Sequence, residues 1–161
     1  MMKLIKYIIL LFFTTSVYAQ NEGNIWYFGY NAGLDFNSGV PVALTDGQID
    51  AFEGCATISD NNGDLLFYTD GMTVYNKNHG IMPNGVGLLG HNSSTQSGII
   101  VQKPGSNTIY YIFTVDGTTG MGGGFYYSEV DLTLQGGLGD VVVASKNTQL
   151  FGMACEKVTS I

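Results

Sequence analysis

The chain has 161 residues, 23 of them glycine and only 3 proline, with 12% aromatic, 12% charged and 45% hydrophobic residues. Enough aromatic and β-branched side chains are present to offset ordering entropy, which excludes a disordered tail, and the glycine content excludes a coiled coil. The six basic residues are all lysines and face 13 acids, a net charge of −7. Such a chain has no cationic surface for phosphates, so nucleic acid and anionic lipid are poor candidate partners.

In chain order, residues 1–19 read as a signal peptide. Lys3 and Lys6 precede the apolar run from Tyr7 to Phe13, and Val-Tyr-Ala-Gln places cleavage after Ala19. The run is much shorter than the ~20 residues that a bilayer span requires. No cysteine lies near the cleavage site, which argues against a lipid anchor. The mature part, residues 20–161, keeps four lysines against all 13 acids and is an acidic, exported piece with no membrane span.

After Gln20 no apolar pattern holds helical spacing over three turns. Short β-rich runs instead alternate with Gly/Asn/Asp clusters, which predicts an all-β chain with no helix after the signal peptide. Strands are expected at 25–29, 34–36, 40–44, 55–59, 65–69, 73–76, 98–102, 109–115, 125–132, 140–144 and 157–161. Asn61-Asn62-Gly63 and Pro104-Gly105-Ser106-Asn107 supply the turn chemistry of two tight hairpins. Cys55 and Cys155 sit in apolar stretches far apart. An oxidising compartment permits a bridge between them, and two buried free thiols is the preferred expectation.

The two hairpins form an internal repeat. Cys55-Ala-Thr-Ile-Ser, a turn and Leu-Leu-Phe-Tyr-Thr-Asp70-Gly71 match Gly98-Ile-Ile-Val-Gln, a turn and Ile-Tyr-Tyr-Ile-Phe-Thr-Val-Asp116-Gly117. Asp70 and Asp116 lie 46 positions apart, within the ~40 to 50 residue period of four-stranded propeller blades. The expected architecture is therefore an incomplete β-propeller of antiparallel blades: about two blades, a third beginning near Glu156, and outer strands from residues 24–44 that complete the last blade of the ring. Because the smallest closed propellers need roughly four blades, residues 20–161 are expected to be the opening of a longer protein.

Several strings point to a family. Asn24-Ile-Trp-Tyr-Phe-Gly, Ala32-Gly-Leu-Asp-Phe-Asn-Ser-Gly-Val-Pro-Val-Ala-Leu, Glu53-Gly-Cys-Ala-Thr-Ile-Ser-Asp, Leu65-Leu-Phe-Tyr-Thr-Asp-Gly-Met-Thr-Val-Tyr-Asn-Lys, Met82-Pro-Asn-Gly, Ser94-Thr-Gln-Ser and Gln135-Gly-Gly-Leu-Gly-Asp occur in that order. Together they resemble the N-terminal, propeller-like region of Bacteroidota proteins with a type IX secretion, type B sorting domain, often labelled gliding-motility-associated. The resemblance implies a long secreted or cell-surface protein exported by the type IX machinery through a C-terminal domain that these residues lack. It implies no particular activity.

Chemistry is sparse. There is no Gly-x-Ser-x-Gly elbow, and the two histidines, His79 and His91, fall in Asn/Gly-rich loops. His91 stands near Ser93, Ser94 and Ser97, yet a solvated loop histidine is the expectation. Asp60, Asn62 and Asp64 have the first spacings of a calcium loop, but Leu65 occupies the glycine position and no glutamate closes it, so a hairpin turn is favoured. Asn92-Ser93-Ser94 fits a glycosylation acceptor, and Met121-Gly-Gly-Gly-Phe125 reads as a loop entering a strand. Trp26, Tyr27, Phe67, Tyr68, Tyr110, Tyr111, Tyr126 and Tyr127 are expected mainly in the core between blades. No catalytic, cofactor-binding or metal-ligating residue is assigned. The favoured function is a non-catalytic adhesive, binding or structural module for an extracellular glycan or protein, and the alternative is the propeller domain of a secreted hydrolase or lyase.

Overall fold

The computed structural model describes residues 21–117 and 123–160. The predicted signal peptide, Met121, Gly122 and Ile161 lie outside them. The described residues are all-β, with antiparallel sheets and no α-helix, interrupted only by short 3-10 turns at Asn21–Gly23 and Gln135–Gly137. Among the described residues twelve strands make three sheets. The first is β1 (Ile25–Phe28), β2 (Ala32–Asp35) and β3 (Val42–Leu44); the second is β4 (Ala56–Ser59), β5 (Leu65–Thr69), β6 (Thr73–Asn76) and β7 (Ile81–Val86). The third runs β8 (Gly98–Gln102), β9 (Ile109–Val115), β10 (Phe125–Asp131) and β11 (Asp140–Val141), with β12 (Thr148–Phe151) also paired to β10. Each sheet is a meander of sequence neighbours, save that β12 returns to the edge of β10, and none closes on itself.

The two repeated hairpins are present with the expected turns. Asp60 opens the first, where Gly63 donates to its carbonyl at 3.0 Å and carries a φ of 90° that a side chain would resist. In the second, Pro104 and then Gly105 at φ 79° fill the central positions of a type II turn closed by Ser106 N–H to Lys103 O at 3.0 Å. The expected strands 65–69, 73–76, 98–102 and 109–115 coincide with β5, β6, β8 and β9.

Three differences have physical causes. β7 is not among the expected strands; it contains Pro83 and Gly85 but is an outer edge strand, where proline's missing N–H goes unused. The expected strand 140–144 stops at Val141, since Ser145 and Lys146 turn back to donate to Val142 O, and the returning chain forms the unforeseen β12. Residues 157–160 are not a strand. Their neighbourhood is tied to the Gln96 loop instead, through Gln96 N–H to Glu156 O and Val158 N–H to Gln96 Oε1, both 3.0 Å.

The sheets stack face to face with the second in the middle. Adjacent β5 residues point to opposite faces, so Phe67 joins Val74, Met82, Tyr110, Ile112 and Val130 in a core against the third sheet, while Tyr68 joins Tyr27, Ile49 and Ala51 against the first. Phe67, Tyr68 and Ile112 are fully buried, each burial being worth roughly 1.5–3 kcal/mol. Strand starts and ends fix the directions. Gly54, leading into β4, donates to Ser94 O near the start of β8, and the far ends of both strands line one cavity, so β4 and β8 run parallel. β1 runs the opposite way, with Asn21 donating to Asn61 O at one end and Gly29 beside Cys55 at the other. The outer strands β7 and β11 also meet. The far faces of the stack stay apolar: Trp26 and Phe28 on the first sheet, and a ladder of Tyr111, Phe113, Tyr127, Phe125 and Phe151 on the third.

Candidate functional site

The stack has two ends, and each gathers polar loops. At one end the loop preceding β8 folds over the loops after β5 and β9. His91 N–H donates to Ser97 Oγ at 3.0 Å, Ser93 N–H donates to His91 Nδ1 at 3.2 Å, and Ser93 Oγ lies 2.9 Å from the same nitrogen. Both groups of Ser93 thus converge on one ring nitrogen, a local turn two residues long rather than a nucleophile and base brought from separate elements. Ser94 and Ser97 are fully buried. Glycines permit this packing: a Cβ on Gly71 or Gly54 would fall onto Ser97, and one on Gly117 would lie 2.8 Å from His91 Nδ1. The end is closed by backbone contact, and Asn92, between His91 and Ser93, is half-buried.

His79, expected only in an Asn/Gly-rich loop, is half-buried and tied to three other side chains. In the β6–β7 turn, at φ 64°, its Nδ1 lies 3.0 Å from Tyr68 Oη and its Nε2 3.4 Å from Asp46 Oδ2. Tyr27 Oη donates to Asp46 Oδ1 at 2.8 Å, and Gln48 N–H donates to Tyr68 Oη at 3.2 Å. A carboxylate, an imidazole and a phenol in sequence would activate a nucleophile if the phenol met a substrate. Tyr68 is fully buried instead, and burial lifts its hydroxyl to about 12. Burial and the Asp46 carboxylate likewise push Tyr27 well above the usual phenol range. The network fastens residues 46–48 to the second sheet.

At the opposite end, Asp60, Asn62 and Asp64 do not converge as a calcium loop would. Asp60 Oδ1 accepts the N–H groups of Asn62 at 2.8 Å and Asp64 at 3.0 Å, a turn cap, and both partners are exposed. Asp60 does, however, face residues that the sequence does not associate with it. Glu22, Asn61, Gln102, Asn107 and Tyr110 join it around a polar cavity of about 360 Å³.

A groove of about 530 Å³ lies elsewhere, along the unpaired edges of β1, β4 and β8, lined by Trp26, Phe28, Cys55, Gln96 and Ile99 among others. Cys55 is half-buried there and burial pushes its thiol up, whereas Cys155 is exposed, not buried; both are free. Of the aromatic residues, Tyr27, Phe67, Tyr68 and Tyr110 are core, Tyr111, Tyr126 and Tyr127 are half-buried, and Trp26 stands 50% exposed with Nε1 on Gly23 O at 2.7 Å. Among the described residues no helix is long and apolar enough to cross a membrane, and no group of three or more His, Cys, Asp or Glu could hold a metal ion. No protein-family model, curated protein or solved structure matches the chain.

Sequence reasoning missed Asp46, Asp140 and Glu22. Asp140 is 3% exposed, and its carboxylate accepts from Asn84 N–H, Asn84 Nδ2 and Val141 N–H, each at 2.8 Å, and from Gln135 Nε2 at 3.3 Å. The glycine-rich Gln135-Gly-Gly-Leu-Gly turn that delivers it was the available signal. For Asp46 and Glu22 no local signal exists, because their partners are distant in sequence.

Proposed function

We propose that residues 20–161 belong to a propeller-like, non-catalytic binding module of an exported bacterial surface protein. One observation carries this reading: β4 and β8 lie side by side in the same direction, each opening a four-stranded meander, and the last strands of the two meanders also meet. That is how successive blades stand around an axis. The direction of β1 supports the same reading. It opposes β4 and β8, as the second strand of a blade does, and the groove along its free edge has room for a missing first strand. In this scheme residues 25–44 are the outer strands of a blade, and the apolar outer faces of the first and third sheets are covered by neighbouring blades.

Export rests on the predicted signal peptide, and the surface location and type IX route rest on the family strings. Binding falls to the end loops, because a ring of stacked sheets buries its faces and leaves loops for function. The test is to display the full-length protein on an array of bacterial and host glycans and matrix proteins, with product release followed in parallel. Saturable retention without turnover supports the reading; turnover of any retained glycan overturns it. Surface labelling of intact cells checks the address, and an unprocessed, intracellular protein overturns that part.

A further inference from the structure

The segment between β3 and β4 crosses from the first sheet to the second. At the β1–β2 turn of the first sheet it is held by backbone: Asn31 N–H donates to Ile49 O at 2.8 Å, Ala51 N–H donates to Gly29 O at 3.1 Å, and Tyr30 bridges Asp50. Its polar contacts with the second sheet run through side chains instead. Gln48 N–H donates to Tyr68 Oη at 3.2 Å, and Asp46 Oδ2 stands 3.4 Å from His79 Nε2. Ile49 and Ala51, both buried, belong to the core between the two sheets.

These contacts fix where His79 carries its proton. A backbone N–H can only donate, so Tyr68 Oη accepts from Gln48, and the hydroxyl's own hydrogen goes to His79 Nδ1, 3.0 Å away. A ring nitrogen that accepts carries no proton. The neutral imidazole therefore keeps its hydrogen on Nε2, on the side of the Asp46 carboxylate. Tyr68 has little freedom to answer a change. It is fully buried, with its ring stacked on Tyr27 at 4.7 Å and on Tyr75 at 5.1 Å. Among the described residues, the hydrogen-bond partners of its hydroxyl are Gln48 and His79.

We propose that His79 is a pH-sensitive latch: the neutral ring holds residues 46–48 on the second sheet, and a proton on Nδ1 releases them. A protonated Nδ1 becomes a donor facing the Tyr68 hydroxyl, whose hydrogen then loses its acceptor in a dry site. The cation does gain attraction to Asp46. That carboxylate is 58% exposed, however, and an ion pair open to water returns less than a buried hydrogen bond left unmade costs. Among the described residues Asp46 is the carboxylate within ion-pair reach of the ring. Around the pair stand Tyr27 from β1, on which Asp35 also acts, and Tyr75 from β6, on which Asp70 and Asp50 act; Lys77, in the same turn as His79, is exposed. Because the released segment accommodates the proton and the held one does not, the latch weakens as the pH falls. The same segment carries Ile49 and Ala51, so release loosens the first sheet on the second. The latch is independent of the proposed binding function.

The test is nuclear magnetic resonance of the full chain. At about pH 8 the ring nitrogens of His79 show the neutral tautomer with its hydrogen on Nε2. Between about pH 8 and about pH 5, protection of the Gln48 amide against hydrogen exchange, corrected for the intrinsic effect of pH, falls roughly tenfold or more, in step with the His79 ring signals. His79→Asn suits the positive φ of this position and has no ring to titrate, so its Gln48 protection stays level over that range. A ring with its hydrogen on Nδ1, or a charged ring, at the alkaline end overturns the latch. So does Gln48 protection in the parent that is indifferent to acid, or an acid response that survives in His79→Asn. Should His79→Asn fail to fold, the parent decides alone: a loss of Gln48 protection that follows the ring signals of His91 instead of those of His79 overturns the proposal.

Discussion

Asp140 is the residue whose removal tests the packing of the second sheet on the third most directly. Its carboxylate is 3% exposed and accepts four hydrogen bonds, two of them from Asn84 on β7, across the junction of the sheets. Hydrogen bonds to a charged acceptor are worth about 1.5–3 kcal/mol each, but they are not additive, and burial of the charge offsets part of the gain. Asp140→Ala leaves the backbone donors of Asn84 and Val141 without an acceptor in a dry site. A loss of about 3–4 kcal/mol is expected, a large share of a typical total of about 5–15 kcal/mol. Asp140→Asn keeps the volume but turns one acceptor into a donor facing other donors, so about half that loss is expected.

Urea denaturation followed by circular dichroism gives the midpoint and slope, and a lower midpoint at unchanged slope identifies a native-state loss. The double variant with Asn84→Ala completes the argument. If the two residues act through each other, their effects fall short of additivity by about 1 kcal/mol or more. Asp140→Ala within about 0.5 kcal/mol of the parent, or strict additivity with Asn84→Ala, refutes the inter-sheet role.

Ile112→Ala opens a cavity between the second and third sheets at a fully buried position and should cost about 2–5 kcal/mol in the same assay. Gly71→Ala places a Cβ against Ser97 at a φ of +85° and should cost about 2 kcal/mol or more, whereas the open, positive-φ Gly105 should lose only about 1 kcal/mol. Tyr68 contributes to the alkaline limit, together with other buried tyrosines such as Tyr27. Burial raises the Tyr68 hydroxyl from 10.0 to about 12, so the folded state holds a proton that the unfolded chain releases earlier. Its contribution is complete below pH 10 and is lost as the pH rises towards 12; melting temperature against pH should therefore fall less steeply in Tyr68→Phe than in the parent over that window.

The sequence made the repeated hairpins legible because their determinants are local. Asn62-Gly63 and Pro104-Gly105 prescribe turns from their own backbone preferences, and Phe67 and Ile112 lie in runs with no polar interruption. β7 was hidden for the same reason in reverse: Pro83 and Gly85 look like breakers until the strand's edge position makes their missing donor and side chain harmless. Val158 shows the opposite error. A β-rich run became irregular backbone because its N–H found Gln96 Oε1 rather than a ladder. The polar sites were illegible because they join residues that only packing brings together. His79 reaches Asp46 across the first core, and Glu22 shares a cavity with Gln102 from two sheets away. Neither pair has a spacing that a motif could carry.

The two ends of the stack answer differently to the same repeat, and this decides where a ligand has room. Asp70 and Asp116 close equivalent strands, yet Asp70 Oδ1 accepts the N–H groups of Met72 and Thr73 while Asp116 Oδ1 accepts that of Gly117. The glycines that follow pack against different neighbours, Gly71 against Ser97 and Gly117 against His91. At that end the glycine contacts pack the loops closely onto one another, although Ser94 Oγ is buried there without a hydrogen-bond partner among the described residues. At the Asp60 end the equivalent turns expose Asn61, Gln102 and Asn107 around a polar cavity that Glu22 and Asp60 also line. Because the Asp60 end carries both a polar cavity and exposed carboxamides while the His91 loop folds back onto its own backbone, the Asp60 end is where the loops have room to meet another molecule.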